Sequence, residues 1–345
     1  MIATFVFMAA LAAQPQPTTI PEMWDAWCAR CHAQDGSGKV IEPTIVVEPM
    51  DFTDCRVASP EPDADWELAI NAGGPAVGLS AEMPGFGDSI TAEQTRGFVA
   101  HMRGFCRETG WPHGNTNFPR PIFTEKAFPE NEVVILPAVS HRSTLNDVNL
   151  VAVYERRFGK RSMWEVALPM ASHATSGTAR RQGIGDVEVA IKHVLLARAD
   201  SPAILSAGFE VALPTGSAVR NLGRGTTMFE PYLAAGTVIG STYLQAQAKV
   251  ELPADRAKAS RAFVYNLYAG RDLSGSPDTW TFGVELNGEN NELAFTPQLR
   301  KGLTRTGALG AAVGVRIPII GGREQGTRLV SYLLWEYLEP VRARR

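Results

Sequence analysis

The sequence predicts a multidomain fold in which a small all-α domain precedes an all-β antiparallel transmembrane barrel of about 12 strands. Two observations lead to this fold class. Apolar residues recur at helical spacing before residue 108, and they alternate at a spacing of two after residue 131. The segment between these parts, residues 109–130, is rich in glycine, proline and asparagine, which is typical of a linker.

Composition and charge narrow the class of protein. The 345 residues are 45% hydrophobic and 20% charged, which excludes a disordered or fibrous chain. Residues 14–110 carry 6 basic and 15 acidic side chains, whereas the residues after them carry 27 and 21. This asymmetry supports two domains with different partners. The basic residues of the second part are spread along it, so a nucleic-acid partner is not expected.

The first 13 residues predict an export signal. The stretch Ile2–Ala13 is apolar, a polar and proline-rich stretch follows it, and Ala10-Leu11-Ala12 has the form of a cleavage site. The apolar run lacks a preceding Lys or Arg, which departs from the usual pattern. The alternative interpretation is a buried N-terminal helix. We expect residues 1–13 to be a signal peptide and the mature chain to lie outside the cytoplasm.

Two of the four cysteines belong to the motif Cys28-Ala29-Arg30-Cys31-His32. This pattern is typical of c-type haem attachment, in which both thiols bond to the porphyrin. A zinc half-site would require a second ligand pair, and a thiol–disulfide redox centre would require a βαβ pattern around it. Neither feature accompanies the motif. We therefore predict one covalent haem c on Cys28 and Cys31, with His32 as an axial ligand of the iron.

Three helices are expected around this motif. The first begins at Thr19–Glu22, where proline and an acidic residue suit a helix start, and it ends at the motif. The second fits Asp63–Ala72, and the third runs from Thr91 to about Cys106. This order of helices around a haem resembles class I cytochromes c. The resemblance covers Gln14–Glu108, so residues 14–108 are predicted to form a cytochrome c domain.

The cytochrome resemblance also implies a second iron ligand in the loop before the last helix. In that loop Met83 is followed by Pro84, as the thioether ligand is in such cytochromes. Met83 is therefore expected to bind the iron opposite His32. Met50 is a weaker candidate, and Met102 belongs to an apolar helical stripe that indicates core packing.

The remaining cysteines, Cys55 and Cys106, are expected to pair. Leftover cysteines of an exported protein most often form a disulfide, and this one would link the regions of the second and third helices. Free thiols are the alternative.

Residues 131–345 contain segments of roughly ten residues in which apolar and polar side chains alternate. In one of them Trp280, Phe282, Val284 and Leu286 are predicted to face lipid, and Gly283 is predicted to face the lumen. The other segments begin near Glu132, Val148, Met163, Val187, Ile204, Met228, Tyr243, Phe263, Glu292, Leu309 and Leu329.

Segment length favours a membrane barrel over a secreted sandwich. Sandwich strands are usually ~5–6 residues long, whereas strands of ~9–11 residues cross an outer membrane. Aromatic residues near strand ends are expected to form girdles at the membrane interfaces: Tyr154, Trp164, Phe229, Tyr232, Tyr243, Tyr268, Trp280, Tyr332, Trp335 and Tyr337.

A second resemblance concerns the barrel. The stretch Gly183-Ile184-Gly185-Asp186 looks like the strand motif of the outer-membrane barrels named for the meta-pathway of phenol degradation. Thr124–Glu130 resembles the segment that joins such a barrel to a cytochrome in fused members. The resemblance implies an outer-membrane domain over residues 131–345. The basic end, Leu338–Arg345, departs from barrels that finish in an aromatic residue.

Together these features predict a monohaem c-type cytochrome that transfers single electrons at the periplasmic side of the outer membrane and is anchored there by the barrel. The expected partners are basic periplasmic redox proteins and outer-membrane lipid. The chain is not expected to be an enzyme, although it could accept electrons from a periplasmic dehydrogenase. The alternative is an outer-membrane channel for small apolar or aromatic solutes, with the cytochrome as an accessory.

Overall fold

The computed structural model describes residues 17–39, 44, 46–141, 145–175, 180–321 and 326–337. The predicted signal peptide, residues 1–13, lies outside the described residues, as does the basic end. Within them, a short 3-10 helix, Ala218–Arg220, lies in a later loop, and the α-helices occupy only the N-terminal part. They are α1 (Ile20–Met23), continued by a π-helical turn (Trp24–Cys28), α2 (Ala29–His32), α3 (Cys55–Ala58), α4 (Asp63–Ala72) and α5 (Ala92–Arg103). No described helix is long and apolar enough to cross a membrane.

The helical region, residues 17–117, has caps and a core of its own. Thr19 caps α1 and Thr91 caps α5, each in a reciprocal capping box with the side chain three residues on. The core includes the buried side chains of Trp24, Trp66 and Phe98. Cys55 and Cys106 form a disulfide, as predicted. The three expected helical segments are therefore confirmed, and α3 is an addition.

Thirteen antiparallel strands occur in the described residues after the helical region, and long runs of alternating residues produce them. They are β1 (Glu132–His141), β2 (Leu145–Phe158), β3 (Ser162–Thr175), β4 (Arg181–Ile184), β5 (Val187–Arg198), β6 (Ala203–Leu213), β7 (Met228–Ile239), β8 (Thr242–Pro253), β9 (Ala262–Asp272), β10 (Trp280–Glu289), β11 (Glu292–Gly302), β12 (Leu309–Ile320) and β13 (Arg328–Glu336).

The strands close into one barrel because β1 pairs with both β2 and β13, and the other strands follow in order between them. Both β4 and β5 pair with β3, so they act as one barrel strand that is interrupted at Gly185 and Asp186. The described residues thus form a 12-strand antiparallel barrel, as the sequence predicted. Closure leaves no unpaired edge, which is the condition for a sheet to cross lipid.

Side-chain orientation follows the alternation along each strand. On β10, Trp280 and Phe282 are exposed on the outer surface, while Glu285 is completely buried on the inner side. Gly283 also faces inward, as predicted, but a Cβ there would lie 2.5 Å from the Tyr268 ring. That position therefore has no room for a larger side chain.

The aromatic-girdle prediction is only partly right. Trp164, Phe229, Trp280 and Trp335 are exposed on the outside, where a girdle requires them. In contrast, Tyr232, Tyr268 and Tyr332 are 6%, 4% and 2% exposed, and they point into the barrel. The physical reason is parity: a residue one place along the strand faces the opposite side of the sheet.

Candidate functional site: the lumen and its near mouth

The inner wall of the barrel is polar. On β10 and β11, the buried side chains of Glu285, Asn287, Thr296 and Gln298 form a connected network. Gln298 Nε2 donates to Glu285 Oε1 at 2.5 Å, and Thr296 Oγ1 donates to Asn287 Oδ1 at 2.7 Å. Such groups are stable away from bulk water only when they are hydrogen-bonded. The inward-facing members of the alternating segments therefore give the lumen a polar wall.

The second half of the predicted linker lies inside this lumen. We call residues Phe118–Glu130 the lumen segment. Glu285 accepts hydrogen bonds from the backbone N–H groups of Ile122 (2.8 Å), Phe123 (3.0 Å) and Thr124 (2.7 Å). It also accepts one from the Thr124 hydroxyl at 2.6 Å. One carboxylate on the wall therefore binds three consecutive peptide groups, and it satisfies donors that the segment could not bond internally.

Charged pairs attach the segment to other strands. The Arg120 guanidinium lies between Glu132 on β1 and Glu155 on β2, with Nη1 at 2.7 Å from Glu155 Oε1. From β5, Lys192 Nζ donates to Glu125 Oε1 at 2.6 Å and to the backbone oxygen of Lys126 at 2.5 Å.

Neutral contacts complete the attachment around the wall. Ser206 Oγ on β6 donates to the backbone oxygen of Ala127 at 2.5 Å, and Gln245 Nε2 on β8 donates to that of Pro119 at 2.8 Å. Tyr332 on β13 donates its hydroxyl to the backbone oxygen of Arg120 at 2.7 Å. Together with Glu285 and the charged pairs, these bonds come from seven of the twelve barrel strands.

We call the end of the barrel where β1 begins and β13 ends the near mouth, and the opposite part the far half. In the far half, Lys249 Nζ is 2.5 Å from Glu230 Oε2 and 3.7 Å from Glu210 Oε2. Arg224, from the loop after β6, is 2.6 Å from Glu251 Oε2. The far half thus carries charged side chains of both signs.

The Gly183–Asp186 motif has a structural role at the far end. Asp186 accepts hydrogen bonds from the backbone N–H of Gly216 (2.9 Å) and of Arg224 (2.7 Å). It therefore fixes the loop that joins β6 to β7. Because Asp186 lies at the break between β4 and β5, its carboxylate can reach that loop.

A cavity of about 1400 Å³ lies at the near mouth, between the helical region and the turns of the barrel. The four predicted site residues, Cys28, Cys31, His32 and Met83, all line it. Met50, the weaker ligand candidate, lines it too. The structure thus brings the predicted residues together around one space, with Trp27, Phe86 and Phe98 supplying apolar walls that suit a porphyrin.

Burial shifts the pKa values of several groups that line this cavity. It raises the pKa of the Cys28 thiol to about 12, with a smaller contribution from Cys31. It lowers the pKa of His32, against an opposing hydrogen bond with the backbone of Met50. Two carboxyls of the helical region respond in the opposite sense from His32. Burial, with a smaller contribution from Asp65, raises the pKa of Glu61 to about 7, and burial, with a smaller contribution from Asp272, raises the pKa of Asp65 to about 6.

Several residues of this site were missed by the sequence reasoning. For the residues on strands, the alternation predicts that the side chain faces the lumen, but it does not predict which residue the side chain binds. Arg120 and Lys126 lie in a proline-containing connector that resembled a linker, and nothing in its pattern places it against Glu285 or Lys192. The available signal was a set of charges at inward strand positions, since such charges need partners.

No protein-family model matches the sequence, and no curated protein matches it either. Solved structures similar to it include an outer membrane channel from Pseudomonas putida F1, at 15% identity and a TM-score of 0.47, covering 64% of this chain and 100% of that one. The KdgM porin matches at 11% identity and a TM-score of 0.43, covering 60% of this chain and 99% of that one. The NanC porin matches at 10% identity and a TM-score of 0.40, covering 60% of this chain and 100% of that one.

These comparisons correct the predicted function. The similar structures are porins and channels, so the prediction of a cytochrome electron carrier anchored by a barrel is wrong, and they give no support for the predicted redox partners. They give no evidence for a fused cytochrome c domain, because more than a third of this chain has no counterpart in them. Haem attachment at Cys28 and Cys31 stays a prediction. Because these TM-scores are all below 0.5, the proposed function rests on the geometry of this chain.

Proposed function

We propose that the chain is an outer-membrane channel for small polar solutes, with the helical region at its periplasmic mouth. The observation that carries this proposal is the polar lumen of a closed 12-strand barrel whose outer surface is apolar. An apolar outer surface with paired edges suits lipid, and it supports an outer-membrane location. With both barrel ends at the near mouth, that mouth would face the periplasm.

The wall chemistry favours polar solutes over the apolar or aromatic solutes of the sequence-based alternative. Glu285, Gln298 and Lys249 present hydrogen-bonding groups to the interior, and charges of both signs line the far half. An apolar solute would have to displace water from these groups without replacing its hydrogen bonds. A small hydroxylated or zwitterionic solute could replace them. The polarity of the barrel wall therefore matches that of a small hydroxylated or zwitterionic solute.

Liposome swelling tests the channel. The full chain would be reconstituted in phospholipid vesicles and challenged with neutral sugars and zwitterionic amino acids of graded size. We expect entry that is faster than in protein-free vesicles and that falls with solute size. Folding is checked by the different gel mobility of boiled and unboiled protein. Absence of entry for the folded wild type and for folded Glu285→Ala and Lys192→Met, which remove bonds to the lumen segment, would overturn the proposal.

Covalent haem is a separate proposal for the helical region, as an accessory to the channel. It is supported by the placement of Cys28 and Cys31 on the wall of the near-mouth cavity, beside His32 and Met83. Protein from a host that matures c-type cytochromes should keep its haem stain on a denaturing gel. Replacing both motif cysteines with alanine should abolish the stain, whereas Cys55→Ala should not. A wild-type chain without the stain would contradict haem attachment.

A further inference from the structure

Glutamates occupy one row of the inner wall at the near mouth, where the barrel closes. Glu132 on β1 lies directly opposite Glu336 on β13 and, on its other side, directly opposite Glu155 on β2. Residues that are directly opposite share one face of the sheet, and like charges in such positions repel each other. Strand pairing therefore brings carboxylates together here, and the arrangement requires positive charge nearby.

Glu130, two residues before β1, joins two of these glutamates in a compact cluster. Glu130, Glu132 and Glu336 each offer one carboxylate oxygen, and these three oxygens all lie within 4.8 Å of one another. Oxygens that bind the same calcium ion lie ~2.3–2.6 Å from it, so two of them are at most ~5 Å apart. The cluster therefore already has the spacing that calcium requires of its ligands.

The ion pairs around the cluster leave part of its negative charge unbalanced. Lys126 pairs with Glu130, and Arg120 is shared between Glu132 and the neighbouring glutamate on β2. Glu336 forms no ion pair with a basic side chain in the described part of the chain. Four carboxylates thus share two paired cations, and the excess of two negative charges equals the charge of one divalent ion.

One buried oxygen of the cluster is available to a ligand. Glu132 is 0% exposed, and Arg120 pairs with its Oε1 atom. Its Oε2 atom is buried and has no hydrogen-bond partner among the residues described. A carboxylate oxygen that is removed from water costs free energy unless a donor or a metal ion satisfies it. Glu130 and Glu336 line the near-mouth cavity, so an ion can reach the cluster from that side.

We propose that Glu130, Glu132 and Glu336 bind a calcium ion at the near mouth, with Glu132 ligating through Oε2. The ion joins β1, β13 and the end of the lumen segment at the place where the barrel closes. Water from the near-mouth cavity completes the coordination, since calcium takes ~6–8 oxygen ligands. Lys126 competes with the ion for Glu130, so we expect a Kd of ~10⁻⁴ M, as in extracellular calcium sites.

Calorimetric titration of calcium into the detergent-solubilised full chain tests the site. The protein is first freed of lipopolysaccharide, which itself binds calcium, and of bound metal with a chelator. We expect one calcium ion per chain, and weaker binding of magnesium because that ion demands a nearly ideal octahedron and dehydrates reluctantly.

Two matched variants locate the ion. Glu336→Gln keeps the side-chain shape and removes one ligand charge, so it should weaken calcium binding at least about tenfold. The control is Glu251→Gln, which neutralises another buried lumen carboxylate, one that pairs with Arg224 in the far half. The control should bind calcium as the wild type does.

Lys126→Met should change the affinity in the opposite direction. It removes the cation that competes for Glu130, so calcium should bind at least about tenfold more tightly. The unfolding midpoint of this variant and of the wild type should rise with calcium concentration, because the ion binds only the folded chain. A merely structural role of the carboxylates would not change calcium affinity in opposite directions in Glu336→Gln and Lys126→Met.

The outcomes are decisive for the calcium site. Binding that is weakened by Glu336→Gln, strengthened by Lys126→Met and unchanged by Glu251→Gln would support it. No binding at millimolar calcium, or equal affinity of wild type and folded Glu336→Gln, would overturn it. If Glu336→Gln fails to fold, as judged by gel mobility, a Lys126→Met affinity no higher than that of the wild type would overturn it instead. Since no measurement here uses solute entry, failure of this site is distinguishable from failure of the channel.

Discussion

Replacing Arg120 with methionine should destabilise the barrel by about 3–5 kcal/mol, the usual cost of removing one partner from a buried ion pair. Arg120 is the shared partner of Glu132 and Glu155, and both glutamates are completely buried. Each charged hydrogen bond contributes ~1.5–3 kcal/mol, so the loss of two leads to a similar figure. Methionine keeps much of the apolar volume, which isolates the effect of the charge.

Urea unfolding in detergent micelles, followed by tryptophan fluorescence, measures this loss. The triple variant Arg120→Met, Glu132→Gln, Glu155→Gln should recover at least half of it, because it removes the carboxylates that the single variant leaves unpaired. Arg305→Met is the control: this exposed side chain donates to the backbone oxygen of Pro75 at 3.1 Å, and its loss should cost about 0.5 kcal/mol or less. A cost below about 1 kcal/mol for Arg120→Met, or no recovery in the triple variant, would refute the argument.

Three further predictions concern other parts of the chain. Val284→Arg should cost ~2–4 kcal/mol in the same unfolding assay if the side chain meets the bilayer midplane, whereas Leu273→Arg in an exposed turn should be neutral. Removing the disulfide by replacing Cys55 and Cys106 with alanine should lower the stability of the helical region by ~2–4 kcal/mol, measured by urea-dependent helical circular dichroism; no change would contradict a structural disulfide. The raised pKa of Glu61, about 7, means that the folded state binds this proton more tightly than the unfolded state, so stability falls as pH rises from about 4.5 through about 7. Glu61→Gln should flatten that part of the melting-temperature profile, and an unchanged slope would contradict the assignment.

Local patterns were sufficient to predict the elements. A helix or a strand buries one face at its own period, so spacing along the chain identifies both its type and its buried side. This is why Asp63–Ala72 matches α4, and why the segment beginning at Trp280 matches β10 with the expected outward row. Tyr268 was wrongly assigned to an aromatic girdle. The assignment used its position near a strand end and ignored which face of the sheet that position occupies.

The candidate site was only partly accessible to such reasoning. The motif residues Cys28, Cys31 and His32 are adjacent in the chain, so their common placement on one cavity follows from a local turn of helix. Met83 was placed by family resemblance, and the structure brings it to the same cavity. The functional conclusion drawn from this motif was nevertheless wrong, because a cofactor motif in one region does not determine what a barrel in another region does.

The sequence by itself determined the helical caps, the strand periods, the number of barrel strands and the chemistry available at each inward position. The tertiary structure alone decided that residues Phe118–Glu130 enter the lumen and that Glu285 binds three of their peptide groups. The physical reason is distance along the chain: Glu285 lies more than 160 residues from Ile122. Only closure of the barrel brings such residues together, and no local period records which buried charge will meet which partner.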